Sequence, residues 1–275
     1  KTKLLHLNSL EMKMIQVLIL LLLCFDNQSV NANSTYEWGD SLHVWATSGL
    51  NMREGPGTDF PKMKKLEYGD KVQVIDHQLY SKSLSLTILK KNKRHNQFKL
   101  KGHWVKVKIG KREGYVFDGY LSRLPAMKMI TASDGEVFFE HFNEYAKREI
   151  GIDSTALNVD SLKNYDERFV YQNGMEWKYP RSECYFASLD LGKISFTEAY
   201  LIFEKMTSFE HNAKYYKPSD SPFNEPGKPI EYDYFQTTVE KEKSGFYKLE
   251  FDTDFYGMTL QFVDGKFIIS EWGCC

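Results

Sequence analysis

A chain of 275 residues exceeds one small barrel and is sized for two domains. Aromatic residues make up 15% of it, enough for two filled cores, and four cysteines exclude a disulfide-dense scaffold. The formal net charge of −1 conceals an asymmetry: residues 33–125 carry 17 Lys/Arg against 9 Asp/Glu, whereas residues 126–275 carry 16 against 26. A basic and an acidic half either dock on each other or serve different partners.

The first element in chain order is the apolar run Ile15 to Phe25, broken only by Gln16, preceded by Lys13 and followed by Asp26, Asn27 and Gln28. It is too short for a membrane span and fits the hydrophobic core of a signal peptide, with Val30-Asn31-Ala32 offering a cut after Ala32. Met12 and Met14 are candidate starts, which makes residues 1–11 upstream sequence and residues 1–32 upstream residues plus signal peptide. The expected location is therefore exported, periplasmic or extracellular, with no transmembrane span in the mature chain. A secondary reading takes Leu21-Leu22-Leu23-Cys24 as a lipoprotein signal acylated at Cys24, although Leu23 is large for that cleavage.

A short strand, Leu42 to Trp45, leads into Leu50-Asn51-Met52-Arg53-Glu54-Gly55-Pro56-Gly57, where two glycines around a proline force a reversal. Leu66-Glu67-Tyr68-Gly69-Asp70 turns the chain again before the alternating strand Lys71 to Ile75. Trp104 to Lys108 alternates in the same way, and Gly114-Tyr115-Val116-Phe117 leads to Tyr120-Leu121. Period-two runs separated by glycine turns read as a small antiparallel barrel.

The spaced set Leu50-Asn51-x-Arg53-x-Gly55-Pro56, Leu66-x-x-Gly69-x-x-Val72, Trp104-x-Lys106-Val107, Gly114-Tyr115-Val116 and Tyr120-Leu121 resembles a bacterial SH3 domain over roughly residues 40–125. The resemblance implies a non-catalytic, five- to six-stranded SH3-like β-barrel, usual in extracytoplasmic proteins that touch the cell wall. Related domains bind peptide or glycan on aromatic-rich surfaces, which makes Asn51, Arg53, Tyr68, Tyr115 and Tyr120 the candidate ligand-binding residues. Each has packing or turn stabilisation as its competing role.

Where that family has a short hairpin loop, this chain inserts a long segment, 77–103. From His77 to Arg112 there are eleven Lys/Arg and no acidic residue. Leu84, Leu86, Ile88 and then Phe98, Leu100 alternate, predicting a hairpin with strands near 83–89 and 97–108 and a tip at Lys90 to Asn96. Lys90, Lys91, Lys93 and Arg94 then form a candidate polyanion-binding finger, or a solvated hairpin whose lysines protect a sheet edge. Nucleic acid is an unsuitable partner for an exported chain.

Past Pro125 the pattern becomes α+β. Ser133-Asp134-Gly135-Glu136 reads as a capping box for a helix over Val137 to Ile150, and Ser195-Phe196-Thr197-Glu198 as a second box for a helix through Met206. Arg168 to Tyr171 and Cys184 to Leu189 read as strands between them. A proline-rich loop (Pro218, Pro222, Pro226, Pro229) precedes an antiparallel meander of Glu231–Val239, Gly245–Asp252, Met258–Val263 and Lys266–Trp272, with Asp264-Gly265 as a hairpin turn. The expected fold is mainly β with α+β: an SH3-like barrel over 36–125 and a C-terminal domain over 126–275, helices first and antiparallel sheet last.

Catalytic chemistry is poorly provided for. Cys184 with His141 or His211 is the sole cysteine–imidazole set downstream, and Cys184 lies between Glu183 and Tyr185 in a strand rather than at an exposing turn. A packed Cys184, or one that pairs with Cys274 or Cys275 in an oxidising compartment, is the expected state. The seven histidines show no H-E-x-x-H spacing, so no metal and no cofactor is expected. Glu136, Glu140 and Glu144 have the spacing of a solvated helix face, and Asp252-Thr253-Asp254 reads as a turn before a calcium site. The sequence thus points to an exported, non-enzymatic envelope protein whose SH3-like domain binds wall peptide, glycan or an envelope protein. A divergent wall hydrolase with its catalytic residues in 126–275, and a structural protein whose halves dock on each other, are the rival readings.

Overall fold

The computed structural model describes residues 36–76, 83–91, 96–131, 133, 135, 137–160, 165–179, 184–208, 235–253 and 255–274. The first half is a run of antiparallel strands in which apolar side chains at alternate positions face inward. They are β1 (Ser41–Val44), β2 (Leu50–Arg53), β3 (Lys62–Leu66), β4 (Lys71–Asp76), β5 (Ser83–Leu89), β6 (Phe98–Ile109), β7 (Arg112–Phe117) and β8 (Leu121–Ser122), with a 3-10 turn at Asp118–Tyr120. Their order in the sheet is β3-β2-β7-β6-β4-β1-β8, and β5 pairs with the outer part of β6. Leu42, Val44, Met52, Leu66, Val74, Val107, Val116 and Leu121 are fully buried in its core.

The inserted basic segment forms the predicted hairpin, Leu86 opposite Leu100 and Ser83 opposite His103. The end of the hairpin next to its tip makes an apolar joint with the second half. Ile88, Leu89, Phe98 and Leu100 are buried. The Phe98 ring meets those of Tyr200 and Tyr247 at 5.0 and 5.1 Å, and Asn96 donates from Nδ2 to Val239 O at 3.0 Å. Lys90 and Lys91 stay exposed beyond β5.

The second half contains the small hairpin of β9 (Met129–Thr131) and β10 (Val137–Phe139), the helices α1 (Phe142–Glu149) and α2 (Phe196–Thr207), and one large sheet. That sheet is built from β11 (Ile152–Asp160), β12 (Tyr165–Tyr171), β13 (Glu176–Tyr179), β14 (Cys184–Asp190), β15 (Phe235–Lys241), β16 (Tyr247–Thr253), β17 (Tyr256–Val263) and β18 (Lys266–Cys274). Its order is β11-β12-β13-β14-β18-β17-β16-β15, antiparallel throughout.

Three expectations are corrected. Val137–Phe139 is a strand rather than the first turn of a helix, because Gly135 (φ 91°) turns the chain back and Phe138 pairs with Ile130. The helix therefore begins five residues later, at Phe142, with no side-chain cap. Strands β11 and β13 were not anticipated: the described side chains at 152–156 on β11 are all exposed, so that edge carries no inward alternation, and β13 is four residues long. Helices do not precede the sheet. The register of β14 on β18, from Cys184 opposite Cys274 to Asp190 opposite Ile268, joins strands from both sides of α2 into one sheet.

Helix α2 is buried nearly all round because it lies between the sheets, touching β17, β18, β8 and the 3-10 turn. The capping box foreseen at its start is present and reaches further than its own helix. Ser195 accepts from Glu198 N at 3.1 Å, and Glu198 Oε2 accepts from Ser195 N at 3.2 Å. Oε1 of the same carboxylate accepts from Ser122 Oγ at 3.1 Å and from Arg123 N at 2.9 Å, so one buried glutamate caps a helix and anchors the end of the first sheet.

The chain between the halves is pinned along its length. Trp45 Nε1 donates to Leu124 O (2.9 Å), Tyr145 Oη to Pro125 O (2.8 Å), Tyr68 Oη to Met127 O (2.8 Å) and Lys128 N to Glu140 Oε1 (2.6 Å). Residues 33–275 accordingly form one compact unit. Replacing Glu198 by alanine strands the Ser122 hydroxyl and two N–H groups, an expected loss of about 2–3 kcal/mol. Urea unfolding of E198A and of the milder E198Q measures it, and an E198A midpoint equal to the parent's would contradict the anchoring role.

Candidate functional site

Two concave regions collect polar and aromatic side chains. The first is a cleft of about 290 Å³ between the Trp45–Asn51 segment, Tyr120 and the Tyr200–Lys205 face of α2. Its near wall depends on Gly49, which has φ 79° and whose Cβ would lie 2.4 Å from Lys65 Cε and 2.7 Å from Leu66 O. No side chain fits there, so β3 packs directly under the turn and Asn51 is presented from β2. Trp45 is fully buried, held through its indole N–H, and Tyr120 stands edge-on to Phe117 at 6.1 Å. The Asn51 amide, the Thr47 and Ser48 hydroxyls and the Tyr120 ring give neutral hydrogen bonding beside an aromatic face.

Of the five sequence candidates in this half, the cleft brings together Asn51 and Tyr120 only. Arg53 donates from Nη1 to Phe60 O at 2.6 Å and closes the turn after β2. Tyr115 is its cross-strand partner on β7, outside the cleft lining. Tyr68 is a strut: its hydroxyl is spent on Met127 O, its ring lies 5.9 Å from Phe139, and burial pushes its pKa up. Of the basic finger, Lys90 and Lys91 are exposed, whereas Lys93 and Arg94 lie outside the described residues.

The second region lies on the inner face of the large sheet, where two cavities of about 310 and 370 Å³ share His141, Trp177, Tyr185 and Glu271. Alternation places Tyr185 with Ala187 and Leu189 on β14, and Glu271 with Ile269 and Phe267 on β18, all facing the helices. Gly273, opposite Tyr185, has no room for a Cβ, which would sit 2.7 Å from the tyrosine ring. Tyr185 Oη donates to Glu271 Oε1 at 2.7 Å. Burial raises the Glu271 pKa above the ordinary carboxylate range, against the opposing pull of that hydrogen bond and of His141. Sequence reading missed this groove. Its one signal was a glutamate in register with Ile269 and Phe267, a charge at a core-facing position.

In the smaller cavity the second carboxylate, Glu140, is committed to Lys128 N and to the Arg148 guanidinium. Cys184 is disulfide-bonded to Cys274, so it holds no free thiol beside His141, and His211 lies outside the described residues. Asp252 accepts from Trp272 Nε1 at 3.2 Å, and Thr253 Oγ1 accepts from Tyr256 N at 2.9 Å, the bonds of a closed turn. Among the described residues no group of three or more His, Cys, Asp or Glu is placed to hold a metal ion. No described helix is long and apolar enough to cross a membrane.

Neither curated proteins nor solved structures give a match to the chain. Residues 48–122 match the family model of the bacterial SH3 domain. That span runs from the turn before β2 through β8 and includes the basic hairpin, Asn51 and Tyr120. Over residues 48–122 the chain is therefore similar to bacterial SH3 domains, and a sheet-rich second half follows.

Proposed function

We propose that this is an exported, non-enzymatic envelope protein whose SH3 domain binds cell-wall peptide or glycan in the cleft bounded by Asn51, Tyr120 and α2. The cleft carries the reading: it sits on the turn that typifies the domain, and it offers hydrogen-bonding groups beside an aromatic face. Bacterial SH3 domains often bind cell-wall components, and the Cys184–Cys274 disulfide supports an oxidising compartment. Helix α2 makes the second half one wall of the site.

Co-sedimentation with insoluble wall material tests the proposal. The parent is expected to pellet with the wall, and N51A and Y120A each to weaken binding by about tenfold, or about 1.4 kcal/mol. Unchanged pelleting of both variants would sink the cleft as the site. Neutralising Lys90, Lys91, Lys93 and Arg94 in the same assay tests the polyanion contribution, which must fade as salt rises. Wall zymography addresses the rival hydrolase. The commitment of Glu140 to structural partners weighs against a two-carboxylate mechanism in the smaller cavity, and clearing lost in E271Q would overturn the non-enzymatic reading.

A further inference from the structure

The groove around Glu271 belongs to the second half, and its larger cavity shares no lining residue with the SH3 cleft. Its β12–β14 side is walled by Phe169, Trp177, Tyr179 and Tyr185, and its charged lining is Glu144, Glu167 and Glu271 with His141 and no Lys or Arg. The rings form a continuous surface, Tyr179 lying 6.1 Å from Trp177 and 5.3 Å from Tyr185. Aromatic faces around a partly desolvated carboxylate are the arrangement that holds an organic cation, through ring quadrupoles and an ion pair together. The protein already makes this pairing at the rim, where Lys147 Nζ lies 5.3 Å over the Phe169 ring and 3.0 Å from Glu144 Oε1.

We infer that this groove binds the side-chain ammonium of a lysine-type residue in a peptide, with Glu271 as its counter-ion and Trp177, Tyr179 and Tyr185 as its walls. The cavity of about 370 Å³ accommodates a four-carbon side chain. The neighbouring cavity of about 310 Å³ shares His141, Trp177, Tyr185 and Glu271 with it and is also lined by Lys205, whose Nζ lies 5.1 Å over the Phe139 ring.

Isothermal titration of the purified, disulfide-bonded chain with Nα-acetyl-lysine and with Nα-acetyl-norleucine isolates the ammonium, since the two ligands otherwise differ little. The lysine derivative is expected to bind at least about tenfold more tightly. E271Q and Y179L, each checked for a parent-like dispersed NMR spectrum, are expected to remove most of that preference. Equal binding of the two ligands would overturn the inference, as would binding of neither, or a preference unchanged in both variants. Binding of N,N′-diacetylchitobiose without the lysine derivative would instead assign the groove to neutral sugar and also overturn it. The ligand comparison uses the unaltered protein, so a variant that fails to fold does not shield the inference. Loss of wall binding in N51A or Y120A leaves this result untouched, so the two sites fail separately.

Discussion

Replacing Cys184 and Cys274 together by serine is expected to cost about 4 kcal/mol of stability. The bond spans 90 residues of sequence, including α2 and the last four strands, and links strand partners whose Cα atoms are 4.1 Å apart. Without it, the ladder from Tyr185–Gly273 to Asp190–Ile268 still holds β14 on β18. The folded state therefore changes little, and the loss comes mainly from the freer unfolded chain. Both cysteines are exposed, so reductant reaches them in the native protein. Urea unfolding of C184S/C274S and of the reduced parent should give the same lowered midpoint. Identical curves for oxidised and reduced parent would show that the bond does not constrain the chain.

The second large effect concerns Asp118, in the 3-10 turn after β7. The residue is 5% exposed, and its carboxyl accepts from His103 N at 2.7 Å and has Oδ2 4.0 Å from His103 Nδ1. Gly102 permits this approach, since a Cβ there would lie 2.2 Å from Oδ1. Burial pushes the Asp118 pKa up to about 7 despite the backbone hydrogen bonds that favour its charged form. A pKa raised on folding means that the native state holds the proton more tightly. The associated stability is full below the unfolded value near 4 and is lost as pH rises to about 7. The span corresponds to an upper bound of about 4 kcal/mol.

Asparagine keeps an acceptor for His103 N and cannot ionise. D118N should therefore match the parent near pH 4 and exceed it increasingly toward pH 8, by up to a few kcal/mol. His103, whose pKa burial lowers, contributes a slope of opposite sign, so the difference between D118N and parent is the quantity to read. A difference that stays constant from pH 4 to 8 would contradict the buried-acid account.

The features that sequence reading captured are local ones. Asp264 and Gly265 form a tight turn at φ 49° and 83°, the Ser195–Glu198 box depends on four consecutive residues, and the Leu84-to-Leu100 alternation defines its own hairpin. The SH3 pattern is likewise a series of short strands and glycine turns. What escaped depends on distant chain segments meeting. Apart from the candidate Cys184–Cys274 disulfide, nothing near Cys184 or Lys266 announces that β14 pairs with β18, and that pairing alone unites the large sheet. Tyr68 looked like a surface aromatic beside a turn, yet its partner is a carbonyl 59 residues away. The apolar spacing of Val137 to Ile150 served two elements at once, a strand that packs little and a short helix whose Phe142, Tyr145 and Ala146 are buried. At the SH3 cleft the near wall was readable, Asn51 and Tyr120, but the far wall comes from α2, about 80 residues downstream of Tyr120.

Amide hydrogen exchange of the whole chain with and without soluble wall fragments tests the central claim most directly. Added protection at Trp45–Asn51, at Tyr120 and along the Tyr200–Lys205 face of α2 is the result expected if both halves build the wall-binding cleft. Protection confined to other surfaces, with those three segments unchanged, would contradict it.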